Sequence, residues 1–172
     1  MRFRAAAALT ALMLSPTVAI AQSPTASSAR SVPVAQALDN ATPLPRDIAY
    51  PGTMKLEVDA TDFTRRILRV RQTIPVAEAG PMTLLFPQWI PGAHSPRGDI
   101  DKLGGLRFTA NGAALNWKRD PLNIYAFVVD VPAGAKAITA EFQFLSATAD
   151  NQGRIVVTDK MMNLQWNSVS LY

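Results

Sequence analysis

The sequence predicts an all-β protein, an antiparallel β-sandwich of about seven to nine strands preceded by a signal peptide and a flexible leader. Three observations carry this. Apolar residues recur with period two from residue 54 onward, the spacing at which one face of a strand is buried and the other is wet. Turn signals interrupt these runs roughly every 8–15 residues, as in sandwiches. No stretch after residue 21 has helical periodicity.

The elements follow in order. Met54, Leu56 and Val58 alternate with Lys55, Glu57 and Asp59, which predicts a first strand. Turn residues lead to a second, with Leu68, Val70 and Ile74 opposite Ile67, Arg69, Arg71 and Thr73, stopped by Pro75 because proline cannot donate to a ladder. These two form an antiparallel pair. After Glu78-Ala79-Gly80-Pro81 comes a strand with Met82, Leu84 and Phe86 on one side. Leu106, Phe108 and Ala110 run to Asn111-Gly112, a hairpin signal because both residues tolerate positive φ; the return strand carries Leu115 and Trp117. Residues 123–131 are apolar on both faces, as in a central strand. Ile138, Ala140, Phe142 and Phe144 face inward on the next strand, opposite Thr139, Glu141 and Gln143. Residues 154–158 and 164–172 offer two further strands.

Residues 1–21 match a secretory signal peptide: Arg2 and Arg4, an apolar run over 5–14, then Ala19-Ile20-Ala21. Thr10, Ser15, Pro16 and Thr17 break the run, short of the roughly 18 apolar residues a membrane span needs. The protein is therefore expected to be exported, periplasmic or secreted, with no membrane association after cleavage. Residues 22–49, rich in Ser, Thr, Ala and Pro, read as the leader, and residues 50–172 as the folded domain.

Of 17 basic residues, Arg2 and Arg4 leave with the signal peptide, so 15 face 13 acidic ones and the mature balance is +2. Nucleic acid is a poor partner for such a chain. Arg65, Arg66, Arg69 and Arg71 read as a solvated strand face or an anionic-ligand patch. The absence of cysteine excludes a disulfide framework and a thiol nucleophile.

The most specific stretch is Phe86-Pro87-Gln88-Trp89-Ile90-Pro91-Gly92-Ala93-His94-Ser95-Pro96-Arg97-Gly98-Asp99, which holds the chain's one histidine. It reads either as a rigid crossover between sheets, with Trp89 plugging the core, or as a stiff loop presenting His94, Arg97 and Asp99 to a ligand or neighbouring domain. The substrate- or domain-contact candidates are Trp89, Pro91, Gly92, His94, Arg97 and Asp99. One histidine excludes HExxH and a His-rich zinc site. A triad of His94, Ser95 and Asp99 is conceivable, although three near neighbours on one loop rarely align and Gly-x-Ser-x-Gly is absent. Asp99 and Asp101 read as a solvated turn before an acid/base pair. Asp150-Asn151-Gln152-Gly153 reads as a hairpin turn before a calcium loop. Trp117 with Arg119 and Asp120 reads as a core or edge tryptophan beside a surface ion pair before an aromatic–cation site.

Phe86-Pro87-Gln88-Trp89-Ile90-Pro91-Gly92, Arg97-Gly98-Asp99-Ile100, Lys102-Leu103-Gly104-Gly105-Leu106 and Trp117-Lys118-Arg119-Asp120 together resemble the N-terminal β-domain of the M61 glycyl aminopeptidase family. The likeness covers residues 50–172 and is most specific at Trp89, Pro91 and Gly92. Leu164-Gln165-Trp166-Asn167 into Leu171-Tyr172 is similar to the family's approach to its catalytic domain. The resemblance implies an exported metallopeptidase with a thermolysin-like zinc domain carrying HExxH, often a PDZ domain after it, and peptide N-termini as substrates. Zinc and catalysis are then expected only in the catalytic domain, normally joined in cis, and the present chain reads as a noncatalytic, truncated portion. The alternative is a free-standing periplasmic ligand-binding or adhesion module built on Trp89, Trp117 or Trp166.

Overall fold

Along Ile67–Pro75 every second side chain, Leu68, Val70, Gln72 and Ile74, is buried, while Arg69 and Arg71 between them face solvent. This alternation sets the architecture. The computed structural model describes residues 42–43, 48–149 and 151–172. The predicted signal peptide and most of the predicted leader lie outside these residues. Ten strands follow in order: β1 Lys55–Asp59, β2 Ile67–Pro75, β3 Gly80–Leu85, β4 Leu103–Ala110, β5 Ala113–Leu115, β6 Trp117–Arg119, β7 Ala126–Val131, β8 Ala137–Leu145, β9 Val156–Val157 and β10 Met162–Asn163. Short 3₁₀ helices cover Ile100–Lys102 and Trp166–Val169.

The strands pair antiparallel in a five-stranded sheet, β1-β2-β8-β4-β5, a three-stranded sheet, β3-β7-β6, and a two-stranded ribbon, β10-β9. The fold is thus an all-β sandwich. One core joins the two main sheets: Leu68, Val70, Ile74, Phe108, Phe142 and Phe144 from the larger, and Leu84, Phe127, Val129 and Val131 from the smaller. Trp117 sits edge-on to Phe108 and Phe127, with ring centroids 6.4 and 5.5 Å apart, tying the sheets together at one end.

Asn111 and Gly112 have φ of 51° and 80°, the left-handed pair a type I′ turn needs, and Ala110 pairs with Ala113 across them. The predicted single return strand divides, however. Residues 113–115 pair with β4 and residues 117–119 with β7, so the chain changes sheets at Asn116 and Trp117 enters the core from the smaller sheet. The register of β4 against β8 shifts between Gly104 and Arg107. Gly105 there has φ of 64°, the backbone of a glycine bulge. Beyond the bulge Leu106 and Phe108 point inward and Arg107 outward.

Two predicted strands shrink. Residues 154–158 keep only Val156–Val157, paired with β10, which the sequence did not predict. The connecting turn places Thr158 Oγ1 to accept from the amides of Lys160 and Met161. Within residues 164–172, Trp166–Val169 form a 3₁₀ helix, with Ser168 N–H donating to the Gln165 carbonyl at 2.9 Å, and the chain turns extended at Ser170. The predicted hairpin after β8 is also absent. Ala147 and Val156 meet in an isolated parallel bridge, with a turn between them in which Gln152 N–H donates to the Ala149 carbonyl.

Residues 170–172 nevertheless join both sheets. The Gln72 amide, 1% exposed, donates from Nε2 to the Leu171 carbonyl at 2.6 Å and accepts the Leu171 N–H on Oε1 at 2.7 Å. Tyr172 exchanges two backbone bonds with Leu85 of β3, at 2.7 and 2.9 Å. Leu171 and Val169, each 0% exposed, fill the space beneath.

The outer face of the larger sheet carries a row of opposite charges in register: Glu57, Arg71, Glu141 and Arg107 on β1, β2, β8 and β4. Arg71 meets Glu141 at 2.8 Å and Arg107 lies 3.9 Å from it. Arg69 and Arg71 thus lie on a solvated, paired strand face, whereas Arg65 and Arg66 belong to the turn before β2, where the half-buried Arg66 donates to the Ala147 carbonyl at 3.2 Å. Lys55 holds the Glu57 carboxyl below its ordinary 4.5, and hydrogen bonds from Thr61 hold Asp59 below 3.8. Desolvation pushes Asp62 upward, but the Arg69 bond and the charges of Arg65 and Arg69 outweigh it, leaving Asp62 also below 3.8.

Gln72→Leu keeps volume but strands both Leu171 backbone groups, so unfolding in urea is expected to lose about 2–4 kcal/mol, whereas Arg71→Ala changes it by about 0.5 kcal/mol or less. Depressed carboxylates contribute stability above their unfolded pKa and lose it as pH falls through the lower folded values. Urea midpoints are therefore expected to fall below about pH 4, and Asp62→Asn should flatten that slope.

Candidate functional site

The Pro-rich loop is closed on itself. Its first limb leaves β3 at Phe86, whose N–H donates to the Tyr125 carbonyl at 2.8 Å. Its second limb returns through Gly98, whose N–H donates to the Gln88 carbonyl at 3.0 Å. Gly98 lies so close to Pro87 that a Cβ would fall inside the Pro87 carbonyl oxygen, so the two limbs approach only because residue 98 has no side chain. The Tyr125 hydroxyl donates to the Gly98 carbonyl at 3.2 Å. At the tip, Ala93 N–H donates to the Ile90 carbonyl at 2.9 Å and Gly92 has φ of 80°. Proline second and glycine third in Ile90-Pro91-Gly92-Ala93 is the signature of a type II turn.

This geometry removes one role that the sequence allowed Trp89, that of plugging the core. The ring is 61% exposed and does not plug the core; Phe86, at 1%, and Pro87 do. Closing the loop through Gln88 and Gly98 turns the side chain between Gln88 and Ile90 outward. His94 is exposed at the tip. Ser95 Oγ accepts from Arg97 Nε at 2.8 Å, and Asp99 Oδ2 pairs with Lys102 Nζ at 3.4 Å. His94, Ser95 and Asp99 therefore do not form a hydrogen-bonded triad. Asp101 is exposed on the Ile100–Lys102 turn, apart from this pairing.

Arg97 and Asp99 come together at a hollow of about 170 Å³ with Arg154, Gln165 and Ser168. Ile90 and Ala93 from the loop tip form part of its wall. Arg154 Nη1 donates to the Pro91 carbonyl at 3.4 Å, and Lys102 Nζ to the Gln152 carbonyl, tying the loop to residues 152–154. Gln165 Oε1 and Ser168 Oγ are buried without a hydrogen-bond partner among the described residues. Trp89, Pro91, Gly92 and His94 lie outside this lining. Arg154, Gln165 and Ser168 were missed, because residues more than fifty positions downstream carry no local signal linking them to the loop.

Trp117 is half-buried and donates from Nε1 to the Leu106 carbonyl at 3.2 Å. The neighbouring cation, Arg119, lies over Phe127 at 5.0 Å instead. Asp120, 5% exposed, accepts from the amides of Leu122 and Asn123 and so caps a turn. Among the described residues no group of three or more His, Asp or Glu side chains could hold a metal ion.

The described residues thus form an antiparallel β-sandwich that carries this closed loop. Residues 55–172 match the Peptidase M61 N-terminal domain, and the chain belongs to that family. Among solved structures, an aminopeptidase N family protein from Idiomarina loihiensis is similar, with 20% identity over 55% of this chain and a TM-score of 0.48. The similar region spans 15% of that protein's length. No curated protein matches the sequence.

Gly98→Ala is expected to destabilise the chain to urea by about 1–3 kcal/mol, since one limb of the loop must move away from the other. Gly104→Ala, where a Cβ meets nothing within 4 Å, should be neutral or slightly stabilising.

Proposed function

We propose that this chain is the noncatalytic N-terminal β-domain of an exported M61-type zinc aminopeptidase. The observation that carries this reading is the family match over residues 55–172. The protein enters the periplasm or is secreted through residues 1–21, and residues 22–49 lead into the domain. A zinc domain joined in cis performs the peptide chemistry and holds the metal through its own HExxH. The present domain supports it and borders the cleft that receives peptide N-termini.

The rim around the 86–99 loop is the surface best suited to that contact. Trp89 and Trp166, 61% and 60% exposed, are chain neighbours of Ile90 and Gln165, which both line the Arg97–Asp99 hollow. Exposed aromatics around a polar centre are the composition of an interface hot spot. The Gly98 closure and the Pro91-Gly92 turn hold the loop in one shape, so little ordering entropy is lost on docking.

The coding DNA beyond Tyr172 is expected to contain HExxH. If several hundred bases in any frame encode neither that motif nor an apolar continuation, the reading fails. In a polypeptide that joins this chain to such a zinc domain, Trp89→Ala with Trp166→Ala should lower kcat/KM for glycine release by about tenfold. The same exposed tryptophans favour a second reading, a free-standing peptide- or sugar-binding module. It requires quenching or shifting of tryptophan fluorescence by at least one of a panel of peptides and glycans.

A further inference from the structure

Leu85 and Tyr172 each donate an N–H to the other's carbonyl. A reciprocal pair of this kind occurs only between antiparallel strands. Direction and register are therefore set where the described chain meets the edge of β3. On β3 the even residues bond inward to β7, as Phe86 does to Tyr125 just beyond it. The odd residues, Leu85, Thr83 and Pro81, turn their backbone groups to the outer edge. Leu85 uses both groups on Tyr172, whereas the Thr83 amide has no hydrogen-bond partner among the described residues.

Beside that open edge lies a hollow of about 610 Å³, lined in part by Pro43, Ile48, Tyr50, Val76, Met82 and Thr83. Tyr50, which forms part of this wall, is 45% exposed. Opposed residues in an antiparallel pair share a face. Leu171 is buried and Tyr172 is 55% exposed. The first residue beyond Tyr172 in this register would then lie opposite buried Leu84, the second opposite Thr83, and the third opposite Met82.

We propose that the outer edge of β3 is a strand-addition site, and that its occupant is the polypeptide leading onward from Tyr172. That segment extends the Leu85–Tyr172 ladder antiparallel past Thr83, with apolar side chains first and third over Leu84 and Met82. The ladder is short by construction. Thr83 can both donate and accept, but Pro81 offers only its carbonyl, so pairing ends about four residues past Tyr172. The connection to a following domain is thereby fixed to the smaller sheet instead of swinging from it, which orients that domain against the 86–99 rim. This rests on the reading that further polypeptide follows in cis.

The experiment compares amide exchange at Thr83 in three chains: the 172-residue chain, the same chain extended by Val-Thr-Val-Thr, and the chain extended by Lys-Thr-Lys-Thr. Thr83 is expected to exchange rapidly in the first and at least about tenfold more slowly in the second, while the lysine extension changes it by less than about twofold. Equal exchange in all three chains overturns the proposal. So does slow exchange in the 172-residue chain: if it increases with protein concentration a second copy occupies the edge, and if it does not the edge is already closed. None of these outcomes depends on a peptidase domain, whose presence is read separately from the downstream coding sequence.

Discussion

The structure depends on how one short extended segment, residues 170–172, satisfies its backbone between two sheets. In that position no regular ladder is available on the side of the larger sheet, and a buried amide or carbonyl without a partner is costly. Gln72 supplies the missing partner. Its side-chain amide has the donor and acceptor of a peptide group, and it presents them to Leu171 as a neighbouring strand would. Tyr172 then pairs with Leu85 on the opposite sheet. A single glutamine on an otherwise apolar face thus lets the chain cross the edge of the sandwich without stranding polar groups. The cost of burying it is offset only while both of its bonds are made.

The Pro-rich loop inherits its rigidity from the same corner. Leu85, which holds Tyr172, is followed at once by Phe86, and Phe86 is bonded to Tyr125 at the end of the β3–β7 ladder. Tyr125 in turn reaches up with its hydroxyl to the Gly98 carbonyl. Both limbs of the loop are therefore anchored to one residue, and the Gly98–Gln88 bond closes the space between them. The loop's stiffness comes as much from this closure, which needs glycine at position 98, as from Pro87, Pro91 and Pro96.

Much of this was legible in the sequence because it is written in local pattern. The alternation in β1, β2 and β8, the Asn111-Gly112 turn and the two-faced apolar strand β7 each follow from residues within one element. What was not legible depends on partners far away in the chain. Gln72 broke the apolar alternation of β2, a visible signal, but its partner lies 99 residues on. The switch of sheets at Asn116 cuts a continuous apolar pattern that sequence reads as one strand. The sequence left Trp89 open between plugging the core and serving as a contact residue, and loop closure turns it outward. Of the candidate residues, Arg97 and Asp99 converge on one hollow, while the groups completing it, Arg154, Gln165 and Ser168, lie more than fifty positions downstream in the chain.

The exposure of Trp89 bears on how such a domain would work beside another. A tryptophan in solvent on a flexible loop would lose on ordering part of what its burial contributes to binding. Here the turn at Pro91-Gly92 and the limb closure at Gly98 are already formed, and Arg154 braces the tip through the Pro91 carbonyl. Docking this rim would therefore bury a large aromatic surface with only the side-chain torsions left to order. Arg97 and Asp99 sit beside that surface with opposite charge, so a partner must match both the shape of the loop and the order of the charges. In the role proposed for this domain, affinity would come from the aromatic area and orientation from the two opposite charges.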